Sequence, residues 1–318
     1  MVQLNVTSVG SRMVSVGERG SVLISDDSGL NWRQVRTPVS CALVSVAFLD
    51  ERTGWAAGHC GVVLKTTDGG ETWTKVLDGI VAADIEQSAA EAEAVTADGD
   101  TPRVREARRL VSEGPDKPFL AIRFPDPQHV LVVGAFGLAF ETSDGGQSWR
   151  SSMGRVSAGD GRHLYAIASL GDKIFLAGEE GTVLASDNGG LDYMPVPFPS
   201  RASQFGLISS GRALIAFGLM GSAYRSDDAG QNWSRIEFPE RSLTAGLRLR
   251  DGGVLLGNEA GQIFRSDDDG ATFREIQIAN PAPITALAEA PDGAIVRAGI
   301  RGVSRVEYNK LEEKNAAR

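Results

Sequence analysis

The sequence predicts an all-β chain: a seven-bladed β-propeller with an α-helical hairpin inserted between blades two and three. Three observations carry that prediction. A short aspartate turn recurs six times in register, a G-x-x-G hairpin recurs seven times, and the roughly 40-residue period of both is interrupted once, where the composition turns helical.

The turn first reads SDDSGLNW over residues 25–32 and returns as TTDGGETW, TSDGGQSW, SDNGGLDY, SDDAGQNW and SDDDGATF. A hydroxyl is followed by Asp or Asn two residues on, Gly two further, and an aromatic three beyond that. The last three positions supply Asp27 with Trp32, Asp68 with Trp73, Asp144 with Trp149, Asn188 with Tyr193, Asp228 with Trp233, and Asp268 with Phe273. The hydroxyl and the short carboxylate or amide accept hydrogen bonds from nearby backbone N–H groups, and Gly takes the φ > 0 position. The aromatic anchors the turn in apolar packing. Six copies in register therefore read as a structural module.

Each turn closes a longer unit, clearest over residues 43–76. LVSVAF, GWAAG, VVLKT and WTKV are short alternating or β-branched runs separated by turn residues, so the unit has four strands and the aspartate turn joins the third to the fourth. The G-x-x-G hairpin joins strands two and three, where Gly is expected as the chain doubles back. Its leading glycines are Gly17, Gly58, Gly134, Gly178, Gly218, Gly257 and Gly299, spaced by 41, 76, 44, 40, 39 and 42 residues, and the sixth copy reads one residue longer, ending at Gly261.

The interval of 76 is one repeat plus an insertion over residues 78–118. IVAADIEQSAAEAEAV is rich in Ala and Glu; PRVREARRLVSEG starts with Pro102 at a first helical position and stops at Gly114. Ile85, Ala89, Ala92 and Val95 are expected along the apolar face of the first helix, and Val104, Ala107, Leu110 and Val111 along that of the second. The first is acidic and the second carries Arg103, Arg105, Arg108 and Arg109, so the two are expected to pair. The hairpin is read either as a solvated cap or as a partner-binding element. Without it and the polar tail, residues 310–318, seven units remain in one propeller over residues 1–309. The last unit has three strands (ITALAEA, AIVRAG, VSRVEY) and no aspartate turn, so blade seven is expected to be three-stranded unless Met1 replaces a natural upstream strand.

Bulk composition narrows the function. Lys plus Arg total 32 against 41 Asp plus Glu, a net charge of −9, which disfavours nucleic acid. No run approaches the ~18 apolar residues of a membrane span, so direct membrane insertion is not expected, and the first residues do not read as a signal peptide. The compartment stays open on these grounds. Cys41 and Cys60 flank a predicted hairpin whose antiparallel strands bring its ends together. A disulfide is the sharper reading, two buried thiols the other. Neither a metal nor a cofactor is expected: two thiols without a His or Cys cluster make no zinc site, and aligning the turn on a calcium loop puts Ile24 at the first ligand position. His59, His129 and His163 are scattered, and no Ser or Cys carries a nucleophile signature.

Topology divides the faces of the ring. The loop between strands two and three emerges on the same face as the link to the next blade, and the aspartate turn emerges on the other. The hairpin tips and the helical insert thus share one face, where Arg19, His59, Phe136, Leu219, Met220 and Arg301, with Arg105 and Arg109 of the insert, are the candidate partner-binding residues. Phe136, Leu219 and Met220 are apolar at positions that face water unless the insert covers them. Arg19 and Arg301 either form a small basic patch for a carboxylate or acidic peptide or are simply solvated.

The repeat S/T-x-D-x-G-x-x-W is the Asp-box, or BNR repeat, shared by sialidases, sortilin-type receptors and photosystem II stability/assembly factor-like propellers. The chain is similar to the non-photosynthetic bacterial members of the last group, in the blade count and in the helical insert that ends in GPDKPFLAIRF over residues 114–124. That resemblance implies a non-catalytic protein-binding propeller, exported or periplasmic, serving as an assembly, stability or accessory factor for a membrane-associated complex such as a transporter. The alternative is a glycan-acting hydrolase or lectin of the sialidase-like class. The tyrosines argue against it: Tyr193 takes the Asp-box aromatic position, Tyr165 and Tyr224 belong to strands, and Tyr308 ends blade seven.

Overall fold

The computed structural model describes residues 1–94, 99–156 and 161–306. Among these residues, seven separate antiparallel sheets succeed one another along the chain. Six have four strands in sequential order and the seventh has three. Blade one runs Gln3–Val9, Arg12–Gly17, Val22–Ser25 and Arg33–Val35; blade two, Leu43–Phe48, Gly54–Gly58, Val63–Thr66 and Thr74–Leu77; blade seven, Ala286–Glu289, Ile295–Gly299 and Gly302–Arg305. The first strands of successive blades pack side by side, and that of blade seven packs on Gln3–Val9 of blade one, closing the ring. Closure is tied by Thr285 Oγ1 donating to the Gln3 carbonyl at 2.9 Å and Arg305 Nη1 donating to the Ser28 carbonyl at 2.7 Å.

The core lies between blades. One apolar layer joins Val14, Ile24, Leu43, Leu64 and Trp73 of blades one and two, and equivalent layers separate every other neighbouring pair. Second strands are buried on both sides, which is why they read as unbroken apolar runs such as GWAAG and VLVVG rather than alternating ones.

The G-x-x-G signature divides its labour differently from the expectation. The leading glycine is extended, with φ of −166° at Gly17 and −176° at Gly58. It is needed because a Cβ there would collide with the carbonyl oxygen of the residue preceding strand one, Val2 or Ala42. The chain turns at the third and fourth positions, where Arg19, Cys60, Phe136, Glu180 and Met220 all have positive φ ahead of their glycines. The sixth tip is also the same length as the others. Asn258 pairs with Leu243 as Gly58 pairs with Leu43, so Asn258, not Gly257, holds the leading position. Its Oδ1 accepts the Ala260 and Gln262 N–H groups.

The insert forms helix α1 (Gly79–Ala94) and helix α2 (Pro102–Glu113). Asp78 Oδ1 accepts the N–H groups of Ile80 and Val81, and Thr101 caps α2 through the Val104 N–H. The expected apolar faces need correction. Ile85 and Leu110 do pack on the core between blades two and three, and Val104 and Ala107 are buried, but Ala89 is only half-buried and Ala92 and Val111 are exposed, while Ala82, Ala83, Glu86, Ala90 and Ala94 are buried; Val95 falls outside the described residues. The buried charge is the reason. Reading Glu86 as a solvent-side residue rotates the helix the wrong way, whereas its carboxylate is met in the interior by Arg103 Nε at 2.8 Å and Nη2 at 3.0 Å, and by the Ser151 hydroxyl of blade three. Tyr308 and residues 310–318 likewise lie outside the described residues.

Candidate functional site

On one face, each Asp-box is a closed hydrogen-bond unit. In the first, Ser25 Oγ accepts the Gly29 N–H and donates to Asp27, both at 2.8 Å, while Asp27 Oδ1 accepts the Asn31 N–H at 2.8 Å. Asp68, Asp144, Asp228 and Asp268 repeat this arrangement. A further position went unread in the sequence: the residue before the aromatic supplies a side-chain donor to the second carboxylate oxygen, as Asn31, Thr72, Ser148, Asn232 and Thr272 do. In the fourth box the polarity is exchanged. Asn188 Nδ2 donates to Asp192 Oδ2 at 3.4 Å. The signal was present in the sequence, since Asp192 replaces the donor in the one box where Asn replaces Asp.

These carboxylates are committed to the fold. The Asn31 backbone N–H, then the Asn31 and Ser25 side chains, hold Asp27 down at about 2. The Asn232 N–H does the same for Asp228, also at about 2, and the Ser148 hydroxyl lowers Asp144. The aromatics clasp the preceding blade: Trp73 packs with blade one, Trp149 against Trp55 of blade two, Trp233 with blade four, Phe273 with blade five, and Trp32 with blade seven. Tyr193 is fully buried against blade three, and burial pushes its phenol up to about 12. That is the opposite of an activated nucleophile.

The other face holds the hairpin tips and a cleft of about 970 Å³ beneath α2. Arg109, Leu110 and Glu113 line its helical wall; Phe136 and Leu138 form the tip of blade three, Met153 follows that blade's last strand, and His163, Glu179 and Glu180 come from blade four. Phe136 remains 43% exposed, with Lys117 Nζ 5.3 Å from its ring centre and the His163 ring packed edge-to-face at 4.8 Å. The insert therefore walls the Phe136 site without covering it. Most charges along the cleft are paired, Arg109 with Glu106 and Glu113, Lys117 with Glu113 and Asp116, and Arg162 with Glu180, whereas Glu179 accepts the His163 backbone N–H.

Of the residues singled out by sequence, Phe136 and Arg109 line the cleft. Arg105 instead pairs with Asp100 on the outer side of α2, and Arg19, His59 and Arg301 are exposed on other tips. Leu219 and Met220 are open to solvent at the blade-five tip. Cys41 and Cys60 form a disulfide with Cα atoms 6.2 Å apart, tying the blade-two tip to the preceding link. That tip supports the root of the insert, because a Cβ on Gly79 would meet Pro115 Cα at 2.8 Å and the Cys60 carbonyl at 2.9 Å. Lys117, Met153 and His163 were not legible as site residues, since they lie in links that only the ring brings together, whereas Glu179 is a hairpin-tip residue of the face that topology assigns to a partner. Among the described residues there is no group of three His, Cys, Asp or Glu side chains able to hold a metal, and no helix is long and apolar enough to cross a membrane.

The family model for photosynthesis system II assembly factor YCF48 matches residues 12–99 and 106–252. The chain belongs to this family. Within it, the photosystem II assembly lipoprotein Ycf48 of Synechococcus sp. (strain CC9902) is 25% identical over 142 residues, a stretch that spans 43% of this chain and only 32% of that protein. Among solved structures, YCF48 bound to D1 peptide superposes with a TM-score of 0.68 at 16% identity, over 97% of this chain and 94% of that one. YCF48 from Cyanidioschyzon merolae gives 0.65 at 15% identity, over 98% and 96%. A streptogramin B lyase gives 0.70 at 14% identity, over 96% and 93%. At such identities these likenesses are of fold alone, and a lyase among them says nothing of chemistry here.

Proposed function

We propose that the protein is a non-catalytic binding propeller that assists assembly or stability of a membrane-associated protein complex, a transporter among the candidates, by engaging a partner polypeptide on its tip face. The supporting observation is the cleft beneath α2 with Phe136 half-exposed in it, on the face that the Asp-boxes leave free. An apolar ring held open beside a walled cleft suits an inserted side chain. Family membership supports the role, as does the D1 peptide held by a structural neighbour. The propeller over residues 1–309 acts as one unit in this reading, with the insert as a wall of its binding site rather than only a cap.

Export to the periplasm fits the same role. The Cys41–Cys60 bridge is of the kind that persists in oxidising compartments, and the Synechococcus relative is a lipoprotein. The test is a pull-down from solubilised membranes with wild type and a Phe136→Ala, Met220→Ala double variant. Loss of the recovered membrane proteins by the folded variant supports the reading; equal recovery overturns the tip face as the docking site.

A further inference from the structure

Four rings make an edge-to-face ladder across the tip face. Phe136 meets His163 at 4.8 Å between centroids, His163 meets Tyr165 at 6.1 Å, and Tyr165 meets Phe205 at 5.6 Å. Tyr165 and Phe205 are each the second residue of their blade's first strand, half-buried at the tip-side end. Blades one, two, three and six have Leu4, Val44, Leu120 and Thr244 at that position, and in blade seven the matching residue is Thr285, just before Ala286–Glu289, because Ile284 sits against Gly299 as Gln3 sits against Gly17. Aromatic rings therefore occur there only in blades four and five, where the ladder continues the cleft.

One carboxylate stands beside the ladder with spare capacity. Among the described residues, Glu179 Oε2 accepts the His163 backbone N–H at 3.2 Å, a single neutral contact for a charged group. It lies close enough to Tyr165 that, after burial, its charge is what raises that phenol's pKa. Neighbouring Glu180 is occupied by Arg162 at 3.0 Å. One ring of the ladder already carries a cation, since Lys117 Nζ, held by Glu113 and Asp116, lies 5.3 Å from the centre of the Phe136 ring.

We propose that the Tyr165–Phe205 end of the ladder and the Glu179 carboxylate receive a basic side chain, Lys or Arg, from an extended segment of the partner protein, with an apolar neighbour of that residue entering the cleft against Phe136, Leu138 and Met153. Ring faces attract the cation and Glu179 supplies its counter-charge. The net charge of −9 favours approach of a basic segment and disfavours an acidic one. This inference rests on the tip-face reading and names the chemistry of the partner at that site.

Fluorescence anisotropy with three labelled peptides tests it: acetyl-Gly-Leu-Lys-Leu-Gly-amide and its versions with norleucine or Glu in place of Lys. Saturable binding of the Lys peptide is expected, about tenfold or more tighter than the norleucine peptide, weakening as salt is raised, with no saturable binding of the Glu peptide. Glu179→Gln and Tyr165→Leu, each checked for an unchanged melting curve, should erase most of the Lys advantage, and Arg235→Ala, exposed in the last strand of blade five, should leave it intact. Equal binding of the Lys and Glu peptides, an undiminished Lys advantage in Glu179→Gln, or no saturable binding of the Lys peptide overturns the proposal. If the Phe136→Ala, Met220→Ala variant still loses its membrane partners in that event, the docking face stands and only the basic side chain falls.

Discussion

The two faces of the ring are built from the same seven repeats, yet they treat their polar groups in opposite ways. On the Asp-box face the aspartates of five boxes are satisfied within their own turns by the Ser or Thr hydroxyl, the backbone N–H and the side-chain donor before the aromatic. On the tip face the backbone repeats, with its left-handed third residue, but the side chain there changes from Arg19 to Cys60, Phe136, Glu180 and Met220. A turn that stabilises through side chains fixes their identity; a turn that stabilises through backbone leaves them free for a partner.

The largest effect expected from breaking this contrast lies in the insert, which a buried charge pair holds to blade three. Arg103→Ala leaves Glu86 buried with only the Ser151 hydroxyl, and should cost about 3–5 kcal/mol locally. Hydrogen exchange should then report opening of α1 and α2 while the blades stay protected; uniform loss of protection would mean that the insert is integral to the ring.

On the Asp-box face, Thr66→Val keeps the shape but removes the acceptor for the Gly70 N–H, so that a buried donor loses its bond. About 1–3 kcal/mol should be lost in urea denaturation, against a change within about 0.5 kcal/mol for Met220→Ala at an exposed tip. Comparable losses at both positions would erase the distinction between the faces.

Acid sharpens it further. Because the folded-state pKa values of Asp27 and Asp228 are depressed to about 2, their contribution is complete above the ordinary value of 3.8 and is lost as pH falls through about 2. Urea midpoints should therefore decline between pH 4 and pH 2 from this source and be insensitive to it near neutrality. The smallest effect concerns the exchanged box: Asn188→Asp places a second carboxylate against Asp192 and should lower stability by about 1 kcal/mol or less, with Asp192→Asn restoring it in the double variant.

Much of the ring was legible because its signals are local and repeated. The hydroxyl, Asp, Gly and aromatic of each box act within eight residues, and the strand runs alternate or stay apolar according to burial. Errors arose where a residue's partner is remote in sequence. Glu86 reads as solvent-facing until Arg103 and Ser151 surround it, and Gly257 reads as the sixth tip's leading glycine until the pairing of Leu243 with Asn258 sets the register.

By itself, then, the amino-acid order determined the repeat, the blade count, the Asp-box fasteners and the face they occupy, because every one of those depends on contacts a few residues apart. Only the closed ring decided the candidate site. Phe136, His163, Tyr165, Phe205 and Glu179 come from three blades, and the wall above them comes from a helix inserted after the second. No spacing in the chain encodes that meeting; it follows from the angle at which each blade packs on the last.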